Sequence, residues 1–252
     1  MIPKIIHYCW LSDDEYPESI KQCLESWKKY LPDYEIKLWD CKRFDVNSMT
    51  WTKQAFEAKK YAFAADYIRL YALYHEGGIY LDSDVVVYKS FNDLLHLPYF
   101  IGEDKTHCFE PAIIGCEPGM PWIKDVLDRY EGLAFVNDDG SFNMRGLPVV
   151  FHDQLTDKYQ FVKTQGMASY QYDERVIRIF PSDYFNSRDY VGAIRTKNSY
   201  CSHNYLGSWL KATSSQYEMA KNILPRWLMN VIYSFYYMFN SSSLKNKQIL
   251  YI

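Results

Sequence analysis

The sequence predicts an α/β sandwich built on a mostly parallel central sheet. Three observations carry that prediction. Short apolar runs alternate with stretches of helical period along most of the chain, the pattern of consecutive β-α-β units. Gly77-Gly78 falls where a helical stripe gives way to an apolar run, as a helix C-terminus leading into a strand requires. Hydrophobic residues make up 48% and charged residues 23% of 252 positions, enough apolar material for one full core.

The elements follow in order. Ile5 to Trp10 is an apolar run between Pro3 and Ser12-Asp13-Asp14, which reads as a buried strand leading into a polar loop. Pro17 and Glu18 open a helix with Ile20, Leu24 and Trp27 on one face, and Pro32-Asp33 ends it. Glu35 to Trp39 alternates polar and apolar as a second strand would. Residues 50–60 read as helical, as does Tyr61 to His75, with a stripe of Phe63, Tyr67, Leu70 and Tyr74. Ile79 to Tyr88, IYLDSDVVVY, then reads as one strand with acids in its middle. Ala112 to Cys116 and Val176 to Phe180 are further strands, and Trp122 to Tyr130 and a segment within 146–157 are helices. No internal repeat or linker divides residues 1–210. The expected organisation is one domain over residues 1–215 and a tail over 216–252.

Net charge is −3, which argues against a nucleic-acid partner. Lys221, Arg226, Lys245 and Lys247 give the last 32 residues +4 with no acid, leaving −7 on the rest. Within residues 222–239, Asn222, Arg226, Asn230 and Ser234 recur every four positions, one narrow polar stripe opposite a broad aromatic and apolar face. The segment is short for a membrane span, so it reads as an amphipathic helix lying in a membrane interface, its lysines on anionic lipid. The alternative is a helix packed on the body or in a dimer. Six scattered cysteines, with no C-x-x-C and no zinc-ligand spacing, and no signal peptide, fit a cytoplasmic protein peripheral to the inner membrane face.

Asp82 and Asp84 carry the chemistry. Residues two apart in an extended chain point to one side, and two carboxylates at the end of an apolar strand repel unless a cation sits between them. Oxygen ligands of that kind suit Mn2+ or Mg2+, which can also hold diphosphate oxygens. The alternative is a solvated turn between strands.

The stretch from Ala64 to Val87, AADYIRLYALYHEGGIYLDSDVVV, resembles the sugar-binding region of glycosyltransferase family 32. It is similar also to the glucosyltransferase domain of the large clostridial cytotoxins. IPKIIHYCW at the start resembles the family's first strand, and HNYLGSW at 203–209 its closing motif.

The resemblance implies a GT-A fold and retaining transfer of an α-linked hexose from a nucleotide diphosphate sugar, UDP-sugars favoured, onto a hydroxyl. It implies that Trp10 stacks on the donor base, that Asp66 and Arg69 hold the donor sugar from one helix face, and that Tyr80 lies beside the donor. Asp82 would reach the metal through water while Asp84 ligates it directly. His203, Ser208 and Trp209 match the closing motif, whose hydroxyl and indole N–H face the diphosphate, and His203 is placed as a third metal ligand. Apart from the family, Trp10 and Tyr80 could equally be core aromatics, and Asp66–Arg69 a surface ion pair. Glu103, Asp104, Glu110 and Asp153 are further acids among which the sequence does not choose a catalytic base. Glu110 stands before PAIIG where relatives often carry an amide, and GLPVV at 146–150 resembles a segment lining the acceptor side. Bacterial relatives build capsule or O-antigen, so the acceptor expected is a saccharide or lipid-linked saccharide. A nucleotide-sugar hydrolase and a non-catalytic sugar-nucleotide scaffold are the competing classes.

Overall fold

The computed structural model describes residues 1–104, 107–167, 170–188 and 192–206, with Pro225 and Leu228 beyond them. The expected tail therefore lies almost wholly outside the described residues.

The first half is built as its sequence pattern requires. Strand β1 (Ile5–Cys9) leads to helix α1 (Glu18–Tyr30), and strand β2 (Glu35–Trp39) returns parallel to β1. Helices α2 (Thr50–Glu57) and α3 (Tyr61–Glu76) follow. α3 is apolar nearly all round, because it lies buried beneath the sheet rather than showing one face to water. Gly77 ends it at φ +64°, its N–H on the Leu73 carbonyl, where a Cβ would come within 2.6 Å of the Pro118 ring. The chain then enters strand β3 (Gly78–Leu81), parallel to β1.

The strand expected over Ile79–Tyr88 is in fact two strands. β3 stops at Leu81, a turn closed by the Val85 N–H on the Asp82 carbonyl carries the acids, and β4 (Val85–Val87) leaves the sheet. It pairs antiparallel with β9 (Cys201–His203) instead. The polar triplet breaks the strand where it leaves the core, and this brings residues 120 positions away against the turn.

Strands β5 (Tyr99–Glu103) and β6 (Phe109–Cys116) complete the main sheet in the order β2-β1-β3-β6-β5. Four strands run one way and β6 runs against them, so the sheet is predominantly one-directional but mixed. Helices α4 (Pro121–Asp128) and α5 (Leu147–Leu155) cover one face, strands β7 (Gln160–Lys163) and β8 (Val176–Ile179) form a parallel pair, and α6 (Ser182–Phe185) packs on β5.

The sheet separates two cores. Tyr80, Ile114, Ile101 and Cys116 face the core shared with α2 to α5, while Ile79, Leu81, Ile113 and Phe100 face the one that includes Trp27 of α1 and Val85 and Val87 of β4. Successive β3 residues alternate between the two, as a strand covered on both faces must. Among the described residues, no helix is long and apolar enough to cross a membrane.

Candidate active site

The chemistry gathers at the C-terminal ends of β1 and β3, where α/β sheets place their ligands because neighbouring loops diverge there. Three segments converge: α3 with Asp66 and Arg69, the turn with Asp82 and Asp84, and the end of β9 with His203.

Arg69 is buried and organises the first of these. Its Nη2 lies 3.1 Å from Asp66 Oδ1 and 3.1 Å from Asp82 Oδ1, and its Nη1 donates to the Pro111 carbonyl at 2.8 Å. The guanidinium lies over the Tyr80 ring at 4.6 Å, and the Tyr80 hydroxyl donates to Asp82 Oδ1 at 3.0 Å. Arg69 Nε is buried and has no hydrogen-bond partner among the described residues. The pair expected from i, i+3 spacing thus forms, and it is not a surface ion pair. Asp66 and Arg69 are 8% and 5% exposed, and the arginine joins the helical acid to the first acid of the turn.

His203 organises the other side. Its Nε2 lies 3.1 Å from Asp84 Oδ1 and 3.9 Å from Asp82 Oδ2, and its Nδ1 lies 3.3 Å from Glu110 Oε1. The segment after β9 wraps the second acid, with the Asn204 N–H on the Asp84 carbonyl and the Leu206 N–H on Asp84 Oδ2 at 2.9 Å. One potential ligand atom each from Asp82, Asp84 and His203 falls within a 4.8 Å span. The acids do sit in a turn, as the alternative reading had it, but the turn is largely withdrawn from water: the Asp82 side chain is 24% exposed, and those of Asp84 and His203 are 13% each.

Burial and charge oppose one another here. Fully ionised, Asp66, Asp82, Asp84 and Glu110 exceed Arg69 and a protonated His203 by two charges, and by three once His203 is neutral. The site responds by holding protons. Burial pushes Asp66 up to about 7 against the pull of Arg69, and burial raises Asp82 against Arg69 and His203. Burial would lower His203, but Asp84 and Glu110 outweigh it and raise the imidazole well above its ordinary range. Burial would likewise raise Asp84, yet His203 and the Leu206 N–H hold it low. Two carboxylates and one imidazole whose ligand atoms lie within 4.8 Å of one another, with negative charge in excess, fit a divalent cation. Such an ion would take the place of the proton on Nε2.

Residues 17–101 match the glycosyltransferase sugar-binding region containing a DXD motif. The matched region contains α1, α3, Asp66, Arg69, Tyr80 and both acids of the turn. Among curated proteins, the chain is 31% identical over 138 residues to inositol phosphoceramide mannosyltransferase 3 of Schizosaccharomyces pombe, covering 53% of this chain and 38% of that protein. It is 29% identical over 161 residues to a mannosyl phosphorylinositol ceramide synthase of Saccharomyces cerevisiae, covering 60% of this chain and 42% of that one. The chain therefore spans about two-fifths of the length of these relatives. Among solved structures, the PaToxG glycosyltransferase aligns at a TM-score of 0.44 and 22% identity, over 62% of this chain and 69% of that one.

The other residues singled out from sequence divide. Trp10 stands one residue past β1, half-buried and edge-on to Tyr16 at 4.8 Å, its indole N–H on the Asp14 carbonyl. Ser208 and Trp209 lie outside the described residues. Glu103 is engaged by Lys163 and His107, Asp104 by the Cys108 N–H, and Asp153 by Arg145. GLPVV leads into and forms the first turn of α5, with Leu147 and Val150 in the core.

Sequence reasoning did not foresee Asn186, Arg188 or Tyr205 at the site. Asn186 and Tyr205 both donate to Glu110 Oε2, while Arg188 donates to the His203 carbonyl and lies 5.1 Å over the Tyr205 ring. Tyr205 was legible only as part of HNYLGSW. Asn186 and Arg188 follow α6 in unpatterned sequence and carried no signal.

Proposed function

We propose that the chain is a metal-dependent glycosyltransferase of GT-A type, which moves a hexose from a nucleotide diphosphate sugar onto a hydroxyl with retention of configuration. The observation that carries this reading is the juxtaposition of the Asp82, Asp84 and His203 ligand atoms with a buried Arg69 tied to both Asp66 and Asp82. A divalent ion at the three ligands would offset the charge that develops on the leaving nucleotide diphosphate.

The chain's own groups then have distinct tasks. Arg69 ties Asp66 and Asp82 together through their Oδ1 atoms, so their other oxygens present fixed acceptors to sugar or ribose hydroxyls. Arg69 Nε is a donor of that group without a partner among the described residues. Trp10 offers an aromatic face at the mouth of β1 for a base, and Ser208 and Trp209 supply donors to phosphate oxygens.

The names of the curated relatives put mannose first among donor sugars to test, ahead of UDP-hexoses, and a lipid-borne headgroup first among acceptors. A lipid-linked saccharide for capsule or O-antigen is the second acceptor class. Residues 216–252 are the proposed tail, with 222–252 holding the enzyme on the inner membrane face, where such acceptors lie.

Turnover of a panel of GDP- and UDP-sugars in Mn2+, with and without acceptor, tests the reading. Wild-type protein should consume at least one donor, and Asp84→Asn should lose about 10²- to 10³-fold, the scale seen when a group stabilising developing charge is removed. Equal turnover in Asp84→Asn would refute the metal role, and turnover indifferent to every acceptor would favour a hydrolase. Donor binding with no turnover would favour a scaffold. Deleting residues 222–252 should free the protein from anionic vesicles while leaving donor hydrolysis intact.

A further inference from the structure

Glu110 on β6 is only 3% exposed, a position where an ionised side chain is costly unless every oxygen is engaged. It is engaged throughout. Oε2 accepts from Asn186 Nδ2 at 2.6 Å and from the Tyr205 hydroxyl, while Oε1 accepts from the Ala112 N–H at 3.3 Å and lies 3.3 Å from His203 Nδ1. No oxygen is left over for a sugar hydroxyl or for proton abstraction from an acceptor. What the carboxylate does face is the far side of the imidazole whose near side points into the Asp82–Asp84 pair.

The surroundings hold that arrangement in place. The Tyr205 ring lies 4.0 Å from the His203 ring while its hydroxyl reaches Glu110, so one side chain spans both partners. Tyr205 adopts φ +49°, the left-handed region that a bulky aromatic residue enters only under constraint. The constraint is visible on either side, in the backbone N–H groups of Asn204 and Leu206 that bond to Asp84. His203 Nδ1 is buried and makes no aligned hydrogen bond among the described residues, so a small rotation of the ring toward Glu110 is the adjustment open to it.

We propose that Glu110 is a positioning residue: it accepts the Nδ1–H of His203 and so aims the Nε2 lone pair at the cation bound by Asp82 and Asp84. Metal-bound imidazoles commonly need such a partner, because the hydrogen bond at one nitrogen selects the tautomer that leaves the other free. The inference rests on the metal reading above and adds to it a fourth residue, supported in turn by Asn186 and Tyr205.

The test uses the full chain and Mn2+ alone, titrated by electron paramagnetic resonance, so that no donor, acceptor or turnover enters. Glu110→Ala should weaken Mn2+ binding about 10- to 100-fold. The same substitution made in His203→Ala should change binding by less than twofold, because the effect passes through the imidazole. Glu110→Gln keeps an acceptor oxygen and should recover most of the affinity. In Zn2+-loaded protein, proton and nitrogen NMR should show the His203 Nδ1–H hydrogen-bonded in wild type and Glu110→Gln, and free of that bond in Glu110→Ala. If Glu110→Ala does not fold, the Glu110→Gln spectrum decides, and an Nδ1–H without a hydrogen bond there overturns the proposal. Mn2+ affinity unchanged in Glu110→Ala, or reduced equally with and without His203, also overturns it while leaving the metal site standing. Failure of wild type to bind Mn2+, or equal binding by Asp84→Asn, removes the metal reading itself and this inference with it.

Discussion

The two ends of the buried charge cluster differ in kind. At one end the cation is Arg69, which cannot lose its charge, clamped by Asp66, Asp82 and the Pro111 carbonyl against the face of Tyr80. At the other end the cation is His203, whose charge depends on a proton, set between Asp84 and Glu110. The Arg69 end is a frame built into helix and strand. The His203 end depends on the segment after β9 folding back across the turn. On the metal reading, the proton of His203 Nε2 is the one a divalent ion would displace, so the fixed end sets the geometry and the exchangeable end would admit the metal.

Removing the fixed cation is the harshest way to break this comparison. Arg69→Ala leaves Asp66 and Asp82 buried and unpaired, and should cost about 3–5 kcal/mol in denaturant unfolding. A loss below about 1 kcal/mol would show that the frame does not depend on the arginine.

The exchangeable end is probed by pH. The folded-state pKa of His203 is raised above 6.5, since Asp84 and Glu110 prevail over burial. The stability from its charge is therefore complete below 6.5 and is lost as pH rises through the raised folded value. In EDTA, the melting temperature of wild type should fall over that range relative to His203→Gln, and parallel curves would contradict the assignment. Mn2+ should reverse the trend, because higher pH frees Nε2 for the ion.

The smallest effect expected is that of Tyr80→Phe, which removes one hydrogen bond to Asp82 and keeps the ring beneath Arg69. It should cost about 0.5–1.5 kcal/mol by the same unfolding measurement. A larger loss would mean that the hydroxyl, and not the guanidinium, fixes Asp82.

The same division runs through what the sequence made legible. Apart from the Pro111 carbonyl, the fixed end lies within 17 residues of chain, from Asp66 to Asp82, where helical spacing, Gly77-Gly78 and an apolar run state the local structure outright. The strands β1 and β2 were equally readable, being short apolar or alternating runs with polar ends. The continuation of β3 through the acids was misread, because apolar residues on both sides of DSD conceal that the chain changes sheets there. β5 was missed, since its apolar stretch Tyr99–Ile101 is cut short by Gly102 and the buried Glu103, so it shows neither a longer run nor an alternation. The exchangeable end joins Asp84 to residues 186–206, and pairing across that distance leaves no periodic trace. Only the resemblance of HNYLGSW pointed to His203, and nothing local linked it with Glu110.

The central claim is that the Asp82–Asp84 turn binds a cation, and calorimetric titration of the chain with Mn2+ tests it most directly. The account predicts saturable binding of one ion per chain, weakened at least tenfold in Asp84→Asn although that variant still melts cooperatively. Binding of equal strength in both proteins, or none in wild type with GDP-mannose and UDP-sugars present, would contradict it.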